Sequence, residues 1–485
     1  MRILAALRVL GRLQLVLGVA LTMPILCSLA YGEKATAMAF AISAIATLAV
    51  GGLWTLLAKE GETPELYRRE GILIVVGGWV LASIFGALPY LLSGALSSPV
   101  DALFEAASGF TTTGATVLPD IEAAQRGVLF WRSFTQWLGG MGIIVLFVAL
   151  LPELGPGARF LYKLEVPGPT AEALHPRIHD TATVVWKIYL MLTAAETVIL
   201  MILGMDLYDA LTHTFSTLST GGFSPLNKSV AAFESPAIHV VIIVFMVLAG
   251  TNFSLFYGMR SRKGVRTLLR DSEFRLYVGL LAGGTVLVAT NLLVTETYRE
   301  PLRALLDAAF QIVAITTTTG FATADFDGWP ALSKMTLVVL MFVGGCAGST
   351  AGSMKVMRMV IGLKSAFREV RLMFSPNSVL PVLVGGKAVP DGAVRAVAGF
   401  FILFLSLWGF GAFLLTIGGT DIVTASTASI ATLGNIGPGL EGVGPTKNFV
   451  AFSPADKAIM VLLMWLGRLE VYAIAATFSR AFWRP

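Results

Sequence analysis

The sequence predicts an all-α polytopic membrane protein, with two lead-in helices followed by four tandem helix–loop–helix repeats in a pseudo-fourfold bundle. Three observations predict it. Of the 485 residues, 55% are hydrophobic and 13% charged, the latter about half the share typical of soluble domains. Long apolar runs alternate with four runs too short to cross a bilayer, at 101–113, 207–220, 303–318 and 420–433. Each short run ends in a Thr/Ser/Gly-rich turn: FTTTGAT (110–116), LSTGGFS (218–224), TTTTGFAT (316–323) and TLGNIGPGL (432–440). The turns align on Gly114, Gly222, Gly320 and Gly437, at intervals of 108, 98 and 117 residues.

A spanning helix needs about 20 apolar residues. Candidates occur at 6–31, 36–58, 70–94, 129–151, 183–204, 236–258, 273–295, 331–360, 393–418 and 456–480. Run 6–31 has the early arginines of a signal peptide, Arg2, Arg8 and Arg12. Its apolar stretch is too long for one and no clean small-x-small cleavage site follows, so a retained span is expected. The first two spans form a lead-in unit, 1–69, and the repeats fall at 70–182, 183–272, 273–392 and 393–485. Irregular backbone at membrane depth persists only where protein surrounds it or it lines a water-filled cavity. Each short run therefore reads as a re-entrant pore helix, and each turn as a loop climbing back out beside three others on one axis.

Charge sets the orientation. Arg260, Arg262, Lys263, Arg266, Arg270 and Arg275 crowd one connection, and Lys355, Arg358, Lys364, Arg368, Arg371, Lys387 and Arg395 another. Segment 95–125 has no Lys or Arg and 205–235 only Lys228. The positive-inside rule places the basic segments in the cytoplasm and the turns on the opposite side. Topology explains these basic runs without nucleic-acid binding. Cys27 and Cys346 both lie in apolar runs, which excludes a disulfide framework.

Two spans depart from the plain pattern. GGCAGSTAGSMK (344–355) places Gly344, Gly345, Gly348 and Gly352 among Ser349, Thr350 and Ser353. Each glycine costs about 1 kcal/mol of helix propensity, which argues for an unwound segment; the four-residue glycine spacing also fits close helix packing. MWLGRLEVYAI (464–474) carries Arg468 and Glu470 inside an apolar run. Such an arginine faces a cavity or partner, or snorkels to the interface.

The turns suit a cation that must shed its water. Successive backbone carbonyls replace a hydration shell without a trapping charge, and glycine permits the dihedrals this requires. Short helices ending at the turns favour a cation there. Asp101, Glu105, Asp120, Asp209, Asp307, Asp325 and Asp421 flank them on the outer side, where they are expected to concentrate cations at the mouth.

The four turns, the QWLGGMGIIVL run (136–146), the 344–355 segment and the WLGRLE segment together resemble the Trk/Ktr/HKT superfamily of cation transporters, over essentially the whole chain. The bacterial Trk-type potassium uptake subunits match best, including the two extra N-terminal spans. The resemblance implies a selectivity filter at Thr111, Thr112, Thr113 and Gly114, at Ser219, Thr220, Gly221 and Gly222, at Thr317, Thr318, Thr319 and Gly320, and at Gly434, Asn435, Ile436 and Gly437. Potassium would be held at Thr112, Thr113, Thr220, Gly221, Thr318, Thr319, Asn435 and Ile436. Gating would fall to Gly345, Gly348, Ser349, Thr350, Gly352 and Lys355 of the intramembrane loop, together with Arg468. The resemblance further implies a homodimer with one pore per chain on a cytosolic, nucleotide-binding, TrkA-like regulatory ring, in the bacterial inner membrane. Asn435 and Ile436 stand where the other turns have Thr or Gly, so the filter is expected to be only roughly fourfold and its potassium/sodium discrimination less strict.

The sequence as a whole points to inward potassium conduction with no cofactor in this chain. About 100 mV is worth about 2.3 kcal/mol per charge, so a potential of roughly 150 mV sustains accumulation on the order of 300-fold without ATP hydrolysis. A sodium-permeable carrier, or one coupled to sodium or protons as a symporter, is the rival of the same class. Within the resembling superfamily a serine at the first filter glycine accompanies sodium preference, and this chain has Gly114. A polytopic membrane enzyme would need a catalytic cluster at one face, and no Ser/His/Asp or Cys/His set forms one. GSTAGSMK lacks the Gly-Lys-Ser/Thr of a phosphate loop. His175 and His179 have helical metal spacing, but Pro176 intervenes and only Asp180 is near, so a solvated loop is expected. His213 is expected to have a packing or hydrogen-bonding role.

Overall fold

The computed structural model describes residues 3–58, 68–142, 178–259, 264 and 266–483. His175 lies outside them, as does the side chain of His179. The fold is all-α, with a single two-residue hairpin, Leu383–Val384 against Lys387–Ala388, among the described residues.

Six described helices are long and apolar enough to cross a membrane: Ile3–Ala30, Lys34–Leu57, Arg69–Leu92, Ala182–Ile202, Ser272–Val294 and Asp391–Ile417. These are the two lead-in spans and the first helix of each repeat. The helices that close the repeats behave differently from these six. Pro236–Ala249 and Phe253–Met259 meet at 95°. Ala331–Met341 stops well before Val356–Phe374 begins. Pro454–Arg468 is separated from Tyr472–Phe478 by a turn in which Glu470 and Val471 both have positive φ. Arg126–Gly140 ends at Gly140. An interruption was expected only at 344–355, and the closing helices of the second and fourth repeats have one as well.

The short runs form helices Pro99–Phe110, Leu207–Leu218, Pro301–Thr316 and Ile422–Leu433. Three start at a side-chain cap: Ser98, Asp206 and Asp421 accept from the backbone N–H groups of Asp101, Asp209 and Thr424. The third begins with Pro301 at its first turn, where the missing N–H costs nothing. Their last turns are buried at the centre of the bundle, and they carry the four turns into it.

Candidate functional site

All four short helices end in one hydrogen-bonded motif. The N–H groups of Thr113, Gly221, Thr319 and Ile436 each donate to the carbonyl five residues earlier, at Ser108, Ser216, Ala314 and Ala431, every one at 2.8 Å. This is the Schellman form of helix ending, whose left-handed residue is usually glycine. Here that residue is Thr112 (φ 56°), Thr220 (φ 54°), Thr318 (φ 58°) and Asn435 (φ 52°). A left-handed backbone costs about 1–2 kcal/mol for a residue with a Cβ, and β-branched threonine tolerates it worst. Strain repeated at matched positions is the mark of a functional segment. Asn435 adopts the backbone of the three threonines, so the expected departure of the fourth turn is one of side chains.

The turns close into a ring. A Cβ on Gly114 would lie 2.1 Å from the carbonyl oxygen of Gly221, one on Gly222 1.9 Å from that of Thr319, and one on Gly320 2.0 Å from that of Ile436. One on Gly437 would lie 2.7 Å from the carbonyl oxygen of Thr113, which completes the circuit. The four glycines have φ of 80°, 77°, 74° and 102°. Each is required twice, by its dihedral and by the neighbouring carbonyl against it. The ring is buried at Thr111–Thr113, Ser219–Gly221, Thr317–Thr319 and Gly434–Gly437, while Gly114, Gly222 and Gly320 are partly exposed.

Outside the ring lies a vestibule of about 240 Å³ bounded by Gly114, Gly222, Gly320 and Gly437 and by the segments that follow them. Asp120 is on its outer loop, and the Asn227 amide holds its carboxyl below the ordinary value. Other acids expected at the mouth are committed elsewhere. Glu105 is buried, 2.7 Å from Arg132 Nε, and accepts from the Thr116 hydroxyl (3.0 Å) and the Val117 N–H (2.9 Å). Arg132 also donates to the Ser224 carbonyl, so the pair ties the outgoing strands of two turns together. Asp101 is held by Lys457 Nζ at 2.7 Å, and Asp307 by the Thr323 hydroxyl. Removing one member of a buried pair strands the other charge. Arg132→Leu is therefore expected to destabilise the protein by about 3–5 kcal/mol and Glu105→Gln by less, since glutamine still accepts from Val117; melting curves in detergent compare the two.

Beneath the ring, residues 343–355 form an irregular loop. The Gly352 N–H donates to the Thr318 hydroxyl at 2.7 Å, and a Cβ on Gly352 would lie 2.3 Å from the Gly434 carbonyl. On its other side the loop leans on the end of the second repeat: the Cys346 N–H donates to Gly250 (2.8 Å) and the Thr350 hydroxyl to Ala249 (3.1 Å). The Phe253 N–H donates to Gly348, the Ser349 hydroxyl to Cys346 and Lys355 Nζ to Ala351. The unwound reading of this segment is the one the structure has, while Gly345 also fits the close-packing one, for its Cβ would stand 2.7 Å from the Gly250 carbonyl.

Arg468 reaches the same place. Its guanidinium donates to the Thr112 hydroxyl and the Thr350 carbonyl, both at 3.0 Å, and to the carbonyls of Gly139 (2.6 Å) and Gly140 (3.0 Å). It points inward and joins ring, loop and first repeat. The repeats align as QWLGG, MVLAG, MFVGG and MWLGR, so Arg468 occupies the position of Gly140, Gly250 and Gly345.

Three features escaped the sequence. Glu273 Oε1 accepts from the N–H groups of Ala347 (2.8 Å) and Met357 (3.0 Å), which pins both flanks of the loop. Glu470 pairs with Arg358 beyond the loop. Gln136 contacts the second turn. An acid at the start of a predicted span reads as a helix-terminus charge, and nothing in its spacing names the loop it holds. His213 bonds the Asp209 carbonyl and Ser224 hydroxyl in the interior.

The TrkH family model, described as "Cation transport protein", matches residues 36–484. The Trk system potassium uptake protein TrkH of Halomonas elongata is 40% identical over 484 residues, 99% of this chain and 98% of its own. TrkH of Escherichia coli K12 is 38% identical, covering 98% of both chains. The crystal structure of the potassium transporter TrkH from Vibrio parahaemolyticus superposes with a TM-score of 0.90 at 35% identity, covering 100% of each chain.

Proposed function

The chain belongs to the TrkH family of cation transport proteins, a multi-pass membrane transporter rather than an enzyme, and we propose that it takes up potassium across the bacterial inner membrane through the ring of four turns. The observation that carries this reading is the closed circuit in which each glycine Cα backs onto the third carbonyl of the next turn. Four turns of one backbone form, on one axis, surround a path with oxygen on every side. The relatives named as potassium uptake proteins support potassium as the cargo. The segments 111–114, 219–222, 317–320 and 434–437 act as the selectivity filter, within repeats bounded as the sequence suggests. The common left-handed backbone at Thr112, Thr220, Thr318 and Asn435 favours stricter discrimination than the side chains alone imply.

The 343–355 loop and Arg468 form the gate in this reading. They fill the space under the ring and add a fixed positive charge there, and a cytosolic partner of the TrkA type moves them aside. Homodimeric assembly belongs to the same proposal. The membrane potential supplies the work, and no cofactor is required. The test is the reversal potential of the purified protein in liposomes under opposed potassium and sodium gradients. A value near the potassium potential is expected; current reversing near zero would sink the filter reading.

A further inference from the structure

Gln136 is fully buried in the second helix of the first repeat, yet it serves the turn of the second. Its Nε2 donates to the Gly221 carbonyl at 2.7 Å, and its Oε1 accepts from the Phe223 N–H at 3.0 Å. This amide orientation alone satisfies both backbone groups. A Cβ on Gly221 would lie 2.4 Å from Gln136 Cδ. The glutamine thus occupies the space a side chain at 221 would take.

The other repeats solve the same corner differently. Aligned with Gln136 are Met246, Met341 and Met464, and aligned with Gly221 are Thr113, Thr319 and Ile436. Only the first-to-second junction combines an amide with a bare glycine. Gly221 is also the most pliable residue at that ring position, and its carbonyl stands against Gly114. A carbonyl oxygen has two lone pairs, so one can accept the amide while the other faces the path.

Resting on the filter reading above, we infer that Gln136 is a positioning residue for ion discrimination: it clamps the Gly221–Phe223 backbone and so fixes one of the four carbonyls that close the ring. Without it, a glycine corner adapts to a smaller ion. The ring discriminates because a rigid set of oxygens fits one radius better than another, and this corner would lose that rigidity.

The experiment uses the full chain in liposomes, reading the potassium-to-sodium permeability ratio alongside the melting temperature. Gln136→Leu keeps the bulk and removes both the donor to Gly221 and the acceptor from Phe223; Gln136→Met supplies the residue type of the other repeats. Each is expected to lower the ratio by about three- to tenfold, the scale of one lost buried hydrogen bond. Gln136→Met combined with Gly221→Thr recreates the residue types of Met464 with Thr113 and of Met246 with Thr319 in the cyclic order, and is expected to recover at least half of that loss. A purely structural role would lower the melting temperature and the total flux while leaving the ratio at its wild-type value. An unchanged ratio in Gln136→Leu overturns the inference, as does a double variant less selective than Gln136→Met. A wild-type protein that passes both ions equally would instead overturn the filter reading, and this inference with it.

Discussion

Gly222→Ala is expected to abolish cation flux, with Gly320→Ala and Gly114→Ala close behind and Gly437→Ala least affected. The order follows the room for a methyl group, 1.9, 2.0, 2.1 and 2.7 Å from the facing carbonyl oxygen. Nothing flexible lies at the other end of these contacts, because each oxygen belongs to the backbone of the next turn. Relief must therefore move the ring itself. Left-handed strain of about 1–2 kcal/mol adds to an overpacking cost of about 1–3 kcal/mol. Uptake through the first three variants should fall by at least about thirtyfold. Initial rates of potassium uptake, normalised to inserted protein, give the ranking. A Gly222→Ala protein that transports as well as Gly437→Ala would show that the turns do not carry the ions.

Arg468→Gly should act in the opposite direction, raising flux in the absence of any cytosolic partner. The substitution installs the residue of the other three repeats, so the backbone accepts it. A fixed unit charge about 8 Å from a passing cation raises its energy by about 2 kcal/mol at an effective dielectric near 20. Removing it is worth on the order of thirtyfold in rate. The same change releases the Thr350 carbonyl, so the loop loses a tether as the path loses a positive charge. Arg468→Lys keeps the charge but not the forked geometry, and should fall between wild type and glycine. Deleting 345–352 is expected to raise basal flux as well. Flux unchanged in both the glycine variant and the deletion would remove gating from this region.

The lead-in spans, the short helices and the four glycines were legible because each rests on a local pattern: apolar length, a cap, a Gly after Thr or Ser. Two of the three broken helices among the described residues were not. At Gly250 and at Leu469–Val471 the chain stays apolar on both sides, and a hydropathy window joins what the backbone separates. The signal was available only by comparing repeats, where QWLGG, MVLAG, MFVGG and MWLGR fall at the level of the breaks. Glu105 was misplaced for a different reason. Its position in sequence, halfway along the helix Pro99–Phe110, gives no sign of which group it meets. The arginine that holds it lies 27 residues away, and no spacing rule connects them. Gln136 and Glu273 share that difficulty, since Gln136 acts on a turn in another repeat and Glu273 on groups 74 and 84 residues away in its own.

Because all four walls of the ring belong to one polypeptide, each can be edited alone. In a ring of identical subunits a single gene change is copied around the axis, so an arginine at this level would appear as four cations crowding one another. Here Arg468 appears once, with glycine at the three aligned positions: Gly140 at the last residue of a helix, Gly250 just past a helix end and Gly345 in the 343–355 loop. The glutamine clamp likewise serves a single corner. Each quadrant can therefore differ from the others, and substitutions can be tested by quadrant without dilution among mixed assemblies.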